Sequence, residues 1–105
     1  MNSKENIKKI IVKKPLKLDC GKVINNYPLS YETYGNLNEK RDNAILVFHA
    51  LSGDQFVTET NPITNKEGWW SYAVGPDKAI DTNKFFVICA NVIGGCMGSY
   101  GPSSI

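Results

Sequence analysis

The chain has 105 residues, of which 42% are hydrophobic and 21% are charged, and its net charge is +2. This length allows one domain with a modest core, and the composition is that of a globular protein rather than a disordered or membrane-spanning one. Its three cysteines, Cys20, Cys89 and Cys96, form no Cys-x-x-Cys pair, and residues 1–20 do not contain the apolar run of 7–15 residues that is typical of a signal peptide. We therefore expect no disulfide framework, no metal site, no bound cofactor and a cytoplasmic location.

The N-terminal stretch is basic, with six lysines and one acidic residue, Glu5, among residues 1–17. Such an arm can bind nucleic acid or a membrane surface. This one has no arginine, no interleaved aromatic residues and no amphipathic repeat. We therefore expect neither partner, and we interpret residues 1–15 as a solvated, frayed arm.

Two strand patterns follow, at residues 10–18 and 23–34, and residues 19–22 form the predicted turn between them. Pro15 and Pro28 lie inside these patterns. Because proline cannot donate to a β-ladder, both segments are expected at a sheet edge or at a bend. The two runs together predict an antiparallel pair.

Two short apolar runs, residues 44–48 and 85–90, predict strands that are buried on both faces. The connection between them is about 35 residues long, which fits a right-handed crossover between parallel neighbours. Within it we expect an irregular segment at residues 55–67, a short helix at residues 68–76, closed by Gly75 and Pro76, and a turn-rich connector at residues 77–84.

The loop after the first apolar run contains His49, the only histidine of the chain. In α/β-hydrolases the turn at this place supplies one backbone N–H of the oxyanion hole. The chemistry requires a donor that is fixed before negative charge develops on the tetrahedral intermediate. The amide of Leu51 is the natural candidate here, and Gly53 would let the chain turn sharply.

Other residues suggest alternative chemistry. Residues 91–102 are rich in glycine, but they lack both the Gly-x-Gly pair and the Gly-Lys-Ser/Thr sequence of phosphate-binding loops, so tight turns and close packing are the preferred interpretation. Cys89 lies within an apolar run and is interpreted as a small hydrophobic residue. A nucleophilic Cys96 activated by His49 stays open as an alternative, and it would require hydrogen-bond reach between the two side chains. Trp69 and Trp70 either pack in the core, or one of them lines a pocket.

The sequence motifs together resemble homoserine O-acetyltransferases over about residues 16–105. The landmarks are Leu-Ser-Tyr-Glu-Thr-Tyr-Gly-Asn-Leu-Asn at 29–38, Asn43 to Asp54, Gly-Trp-Trp at 68–70, Gly75-Pro76, Ile-Asp-Thr at 80–82, residues 85–89, Asn-Val-Ile-Gly-Gly-Cys at 91–96, Gly98-Ser99 and residues 101–105. The departures are Ser71, Asp77 and Tyr100, where the family commonly has an acidic residue, glycine and threonine.

The resemblance implies an α/β-hydrolase fold and acetyl transfer from the co-substrate acetyl-CoA to the hydroxyl of L-homoserine, in methionine biosynthesis. The mechanism it implies is ping-pong, with a serine that takes the acyl group, a histidine that activates the serine and an aspartate that orients the histidine. Related members use succinyl-CoA or accept L-serine, and the family is often homodimeric.

The family's nucleophile lies in a Gly-x-Ser-x-Gly turn, and these 105 residues contain none. No catalytic residue of the triad can therefore be assigned. Only the Leu51 amide and the surrounding loop residues His49, Ala50, Ser52 and Gly53 carry over. We interpret residues 1–105 as a single partial domain, the N-terminal part of an α/β-hydrolase with antiparallel edge strands followed by two parallel buried strands. Such a fragment is expected to be inactive alone.

Two rival interpretations remain open. The chain could be a non-catalytic module that docks with a separately encoded C-terminal fragment. It could also be a free-standing Cys–His hydrolase, which we rank last.

Overall fold

The structure, a computed structural model, describes residues 7–102 and residue 104. The described residues form eight β-strands and no helix, and hence no helix that could cross a lipid bilayer. The strands are β1 (Lys9–Val12), β2 (Leu16–Lys17), β3 (Val23–Ile24), β4 (Tyr27–Tyr34), β5 (Ala44–Val47), β6 (Val74–Gly75), β7 (Ile80–Asp81) and β8 (Phe86–Ala90).

The main sheet has four strands in the order β1-β4-β8-β5. Strand β4 is antiparallel to both β1 and β8, whereas β5 and β8 are parallel. Two small sheets, the β2–β3 hairpin and the parallel β6–β7 pair, complete the strand pairing. The predicted antiparallel start and the predicted parallel neighbours are therefore both confirmed.

The basic N-terminal segment is partly incorporated into this sheet. Strand β1, Lys9–Val12, pairs in register with the first half of β4, from Lys9 opposite Ser30 to Val12 opposite Tyr27. The expected frayed arm is therefore wrong for these residues, because a paired backbone and the β-branched sequence Ile-Ile-Val favour a strand. Residues 1–6 of the predicted arm lie outside the described residues.

The two early strand patterns are each divided into two strands. Pro15 separates β1 from β2, and Asn26, with φ of 48°, separates β3 from β4. Pro28 lies in the half of β4 that pairs with β1 alone, since β8 pairs only with Tyr31–Tyr34. The expectation that proline would lie at a bend or at an edge-like position therefore holds.

The hydrophobic core covers one face of β5 and β8. Its buried members are Val47, Val57, Val74, Val87 and Cys89, with Tyr34, Ile45, Trp70 and Ile80 packed against them. Side chains alternate across a strand, so Ile45 and Val47 point to the core while Leu46 points to the other face. Leu46 is 58% exposed and Phe48, just beyond β5, is 81% exposed.

The prediction that residues 44–48 are buried on both faces is therefore wrong. Strand β5 is at the edge of the sheet, and no other element within residues 7–102 covers its second face. An apolar run shows that a segment is suited to burial, but a covering layer must also be present.

The long crossover between β5 and β8 supplies the covering layer of the first face. Residues 55–67 are irregular, as expected. The helix predicted over residues 68–76 is absent, because residues 69–73 form consecutive turns that lead into β6 at residues 74–75. The turn is held by hydrogen bonds from the amides of Ala73 and Val74 to the carbonyl oxygen of Trp70, both 3.0 Å long. Pairing of β6 with β7 then draws the chain into an extended conformation, which ends any helical path.

Candidate functional site

The loops that follow the two parallel strands lie side by side. Strand β5 ends at Val47 and β8 ends at Ala90, so their carboxyl ends are at the same edge of the sheet. The link between the loops is a hydrogen bond of 3.1 Å from the backbone N–H of Val92 to Nε2 of His49. This edge is where ligands bind in open parallel sheets.

The hydrogen bonds of His49 define its tautomer. Nδ1 lies 2.7 Å from the carbonyl oxygen of Ala50, which can only accept, so Nδ1 carries the proton. Nε2 faces the N–H of Val92, which can only donate, so Nε2 is the acceptor. The imidazole is therefore neutral, buried and held at both nitrogens, as in a structural clamp rather than a general base.

The next residues form a tight turn around the Ala50 carbonyl. Besides His49, the amide of Gly53 donates to the same oxygen at 2.8 Å, which closes a four-residue turn with Leu51 and Ser52 at its tip. In a trans peptide the C=O and N–H bonds point in opposite directions. The Leu51 N–H therefore points away from the two donors, and it has no acceptor among the described residues.

Glycine at position 53 is explained by the lack of room for a side chain and not by its backbone conformation. Its φ lies outside the left-handed region that favours glycine. A Cβ at this position would lie 3.2 Å from the Ala50 carbonyl oxygen and 3.3 Å from the His49 Cβ, closer than ordinary contact. The glycine is thus explained by the close approach of His49 and Ala50.

A buried polar network below the loop was not identified from the sequence. The side-chain Oδ1 of Asn91 accepts from the backbone N–H of Met97 (3.1 Å), and the backbone N–H of Asn91 donates to the Ser30 carbonyl (2.8 Å). Ser99 donates to the Asn91 carbonyl at 2.6 Å, and Gln55 donates to both Ser30 Oγ and the Met97 carbonyl. The sequence could have indicated Asn91 by its position, because it directly follows the apolar run of β8 just as the loop with His49 follows that of β5.

A cleft of about 290 Å³ opens beside the turn. Its lining includes Asp54, Asn61 and Trp69, together with Cys96 and Met97 from the glycine-rich loop. The indole N–H of Trp69 donates to the Asp54 carbonyl at 2.8 Å, and the Trp69 ring stacks on Trp70 with centroids 5.6 Å apart. Trp70 packs against the core while Trp69 lines the cleft, as in the second of the two interpretations of this pair.

The alternative Cys–His site is not assembled. Both nitrogens of His49 are engaged by backbone groups, and no hydrogen bond joins His49 to Cys96 within the described residues. Cys89 is buried, and its burial raises the pKa of the thiol to about 11. The thiol is therefore not ionised near neutral pH. Its interpretation as a small hydrophobic core residue is confirmed.

The glycine-rich loop packs closely on itself and on β4. A Cβ on Gly101 would lie 2.3 Å from the Gly95 carbonyl oxygen, and one on Gly98 would lie 3.0 Å from Ser30. Gly98 also has φ of 111°, a value that glycine adopts without strain. These contacts support the packing role that was preferred for the loop over phosphate binding.

An acidic pair lies away from the turn. Glu32, buried on β4, forms an ion pair of 2.8 Å with Lys8, and Glu59 is beside it. Burial, together with a hydrogen bond to Glu32, raises the pKa of the Glu59 carboxyl to about 7. The same ion pair raises the pKa of Lys8.

No family model matches the chain, but individual proteins do. The chain is 77% identical over all of its 105 residues to a homoserine O-acetyltransferase from Pelagibacter ubique, of which it covers 28%. It is 62% identical over 91 residues, 87% of its length, to a homoserine O-acetyltransferase from Mesorhizobium japonicum, of which it covers 23%. The chain thus spans less than a third of the curated relatives it matches.

Solved structures agree with this similarity. The homoserine O-acetyltransferase of Bacillus anthracis superposes on 82% of the chain with a TM-score of 0.71 and 38% identity, and the match covers 23% of that protein. The esterase E22 superposes on 85% of the chain with a TM-score of 0.70 and 31% identity, and the match covers 25% of that protein.

Proposed function

Since the chain is related in sequence and in structure to the N-terminal part of homoserine O-acetyltransferases, which have the α/β-hydrolase fold, we propose that it supplies the oxyanion loop of such an enzyme. The reaction would be transfer of the acetyl group of acetyl-CoA to the hydroxyl of L-homoserine. In this proposal the Leu51 N–H binds the acyl oxygen as it becomes negative.

The observation that carries the proposal is the free donor at the tip of the turn. The Leu51 N–H has no acceptor among the described residues, and the Leu51 side chain is 97% exposed. The Leu51 N–H belongs to the same peptide as the Ala50 carbonyl, which is held by two donors. The Ser52 N–H also has no acceptor among the described residues, but it belongs to the next peptide, whose carbonyl is not held in this way. A donor fixed in advance is what stabilisation of a tetrahedral intermediate requires.

The remaining catalytic groups would come from outside this segment. These 105 residues contain no Gly-x-Ser-x-Gly turn. We therefore propose that the chain is inactive alone and that the nucleophile, its base and the orienting carboxylate come from the portion that the longer relatives also contain. Acetyl-CoA as co-substrate, a complementary C-terminal fragment, homodimerisation and a cytoplasmic location all stay predictions.

The experiment uses the relative from Pelagibacter ubique as a host. A hybrid enzyme, in which these 105 residues replace the matching segment of that protein, is assayed for acetyl transfer to L-homoserine. We expect transfer at a rate close to that of the unmodified host, because the two segments are 77% identical. The isolated chain, assayed in parallel, should show no turnover above background.

The same assay separates the rival functions. Preference of the hybrid for succinyl-CoA or L-serine would change the substrate assignment, and release of free acetate without transfer would indicate an esterase. Turnover by the isolated chain that disappears in both Cys96→Ala and His49→Ala would establish the Cys–His alternative. A folded hybrid without any activity would contradict the proposal.

A further inference from the structure

We propose that His49 is the positioning residue of the oxyanion loop, and that it acts through the carbonyl of Ala50 on the N–H of Leu51. The inference rests on the proposed function for its catalytic consequence. Its structural basis, the tautomer and the two hydrogen bonds, stands on the geometry alone.

The first step is the orientation of one peptide plane. The Ala50 C=O and the Leu51 N–H belong to the same planar, trans peptide, so fixing one of them fixes the other. Two donors converge on the Ala50 oxygen, His49 Nδ1 at 2.7 Å and the Gly53 amide at 2.8 Å. The second donor is the backbone closure of the turn itself, whereas the first comes from a side chain and can therefore be changed by substitution.

The second step is what holds the imidazole itself. Its Nε2 accepts from the Val92 amide at 3.1 Å, and the Nδ2 of Asn91 lies 3.5 Å from the same nitrogen. Asn91 is 1% exposed and is tied to β4 by the hydrogen bond from its amide to the Ser30 carbonyl. The position of the Leu51 N–H is thus connected through His49 and Asn91 to the centre of the sheet.

The third step is the chemical requirement for histidine. The side chain must donate at the nearer ring position and accept at the farther one. Only the neutral Nδ1–H imidazole does both. Asparagine places an N–H₂ donor near the position of Nδ1 but offers nothing at Nε2, whereas glutamine places an acceptor oxygen near Nε2 but no donor near Nδ1.

This difference gives a matched pair of variants in the hybrid enzyme. His49→Gln, which loses the donor to Ala50, should lower kcat on the order of 10²-fold with little change in KM for L-homoserine, because the donor acts on the transition state. His49→Asn keeps that donor and should lose distinctly less. Equal losses in both variants, or a larger loss in His49→Asn, would overturn the proposal. Thermal melting of both variants checks that neither loss arises from unfolding.

A spectroscopic measurement on the hybrid enzyme tests the geometry without any activity. Long-range ¹H–¹⁵N correlations report its imidazoles, and the signal that is missing from the His49→Gln hybrid belongs to His49. We expect the Nδ1–H tautomer at a pH where the ring is neutral, and the Nε2–H tautomer would overturn the inference. If the Nδ1–H tautomer is found but Leu51→Pro leaves the hybrid fully active, the proposed function fails while the clamp stands.

Discussion

The phenol hydroxyl of Tyr34 donates to the carbonyl oxygen of Gln55 at 3.1 Å and accepts from the N–H of Val57 at 3.0 Å. One side chain at the end of β4 thereby bonds two backbone groups of the segment that follows the loop from His49 to Gly53. Burial raises the pKa of this phenol, so it remains protonated and keeps its donor at any ordinary pH.

Removing this hydroxyl should destabilise the chain. Tyr34→Phe removes both hydrogen bonds, but the Val57 N–H still donates to the Gln55 carbonyl at 3.0 Å. The expected loss is therefore that of a hydrogen bond whose groups keep a partner, about 0.5–1.5 kcal/mol of unfolding free energy. Urea denaturation followed by tryptophan fluorescence measures the change. Tyr72→Phe is the control, because Tyr72 is 78% exposed and should change little. Equal stability of the two variants would contradict the role of Tyr34.

Substitutions of Leu51 separate the backbone from the side chain. Leu51→Pro deletes the N–H, and loss of an oxyanion-hole donor costs about 2.7–4 kcal/mol of transition-state stabilisation, or about 10²–10³-fold in kcat. Leu51→Ala keeps the N–H and should be mild. Steady-state kinetics of the hybrid enzyme measure both, and near-normal turnover by a folded Leu51→Pro hybrid would remove Leu51 from the oxyanion hole.

Two glycines with similar backbone angles should respond differently to alanine. Gly21 and Gly35 have φ of 91° and 80°, so alanine costs roughly 1–2 kcal/mol at either position. A Cβ at Gly35 would also lie 2.3 Å from the Phe85 carbonyl oxygen, whereas nothing lies within 4 Å at Gly21. We expect Gly35→Ala to lose about 1–3 kcal/mol more in urea denaturation. Equal losses would show that φ alone governs both sites.

The Glu59 carboxyl should make stability depend on pH. Its pKa is raised by burial from 4.5 to about 7 in the folded chain, so the folded state holds the proton over a range in which the unfolded chain has lost it. Stability from this group is therefore complete below pH 4.5 and is lost as the pH rises towards 7. Glu32 and Lys8 both face this carboxyl: Glu32 raises the pKa of Glu59, whereas Lys8 lowers it.

The measurement compares melting temperatures at pH values across that window. Glu59→Gln, which stays neutral, should have a smaller decrease in melting temperature with rising pH than the unmodified chain. Glu39→Gln is the matched control, since it removes the same charge from a glutamate outside the cluster of Glu32, Lys8 and Glu59. An unchanged pH profile in Glu59→Gln would show that the carboxyl ionises normally.

The exposed edge of β5 should make the isolated chain associate or depend on a complementary fragment. Leu46 and Phe48 are exposed there, and unpaired apolar edge strands pair with other chains. Size-exclusion chromatography and circular dichroism should show oligomers or marginal folding. Leu46→Lys should reduce association, whereas Tyr72→Lys, at an exposed residue of the turn before β6, should not. A monodisperse monomer that melts cooperatively well above about 50 °C would contradict this expectation.

Much of the fold followed from local patterns. The apolar runs at residues 44–48 and 85–90 marked the two parallel strands, and the long connection between them indicated a crossover rather than a hairpin. The turn at residues 19–22 and the break at Pro15 could be predicted for the same reason. Turn residues and proline restrict the backbone within a few residues, whatever the rest of the chain does.

The sequence by itself also located the loop from His49 to Gly53, because a short polar segment after an apolar run is a local feature. Only the tertiary structure decided what that loop can do. The acceptor role of His49 Nε2, which sets the tautomer that holds the Ala50–Leu51 peptide, and the burial of Asn91 depend on contacts between residues more than 40 positions apart. The exposure of Leu46 and the loss of the predicted helix before Pro76 were decided in the same way, since burial and strand pairing require partners that a local pattern does not contain.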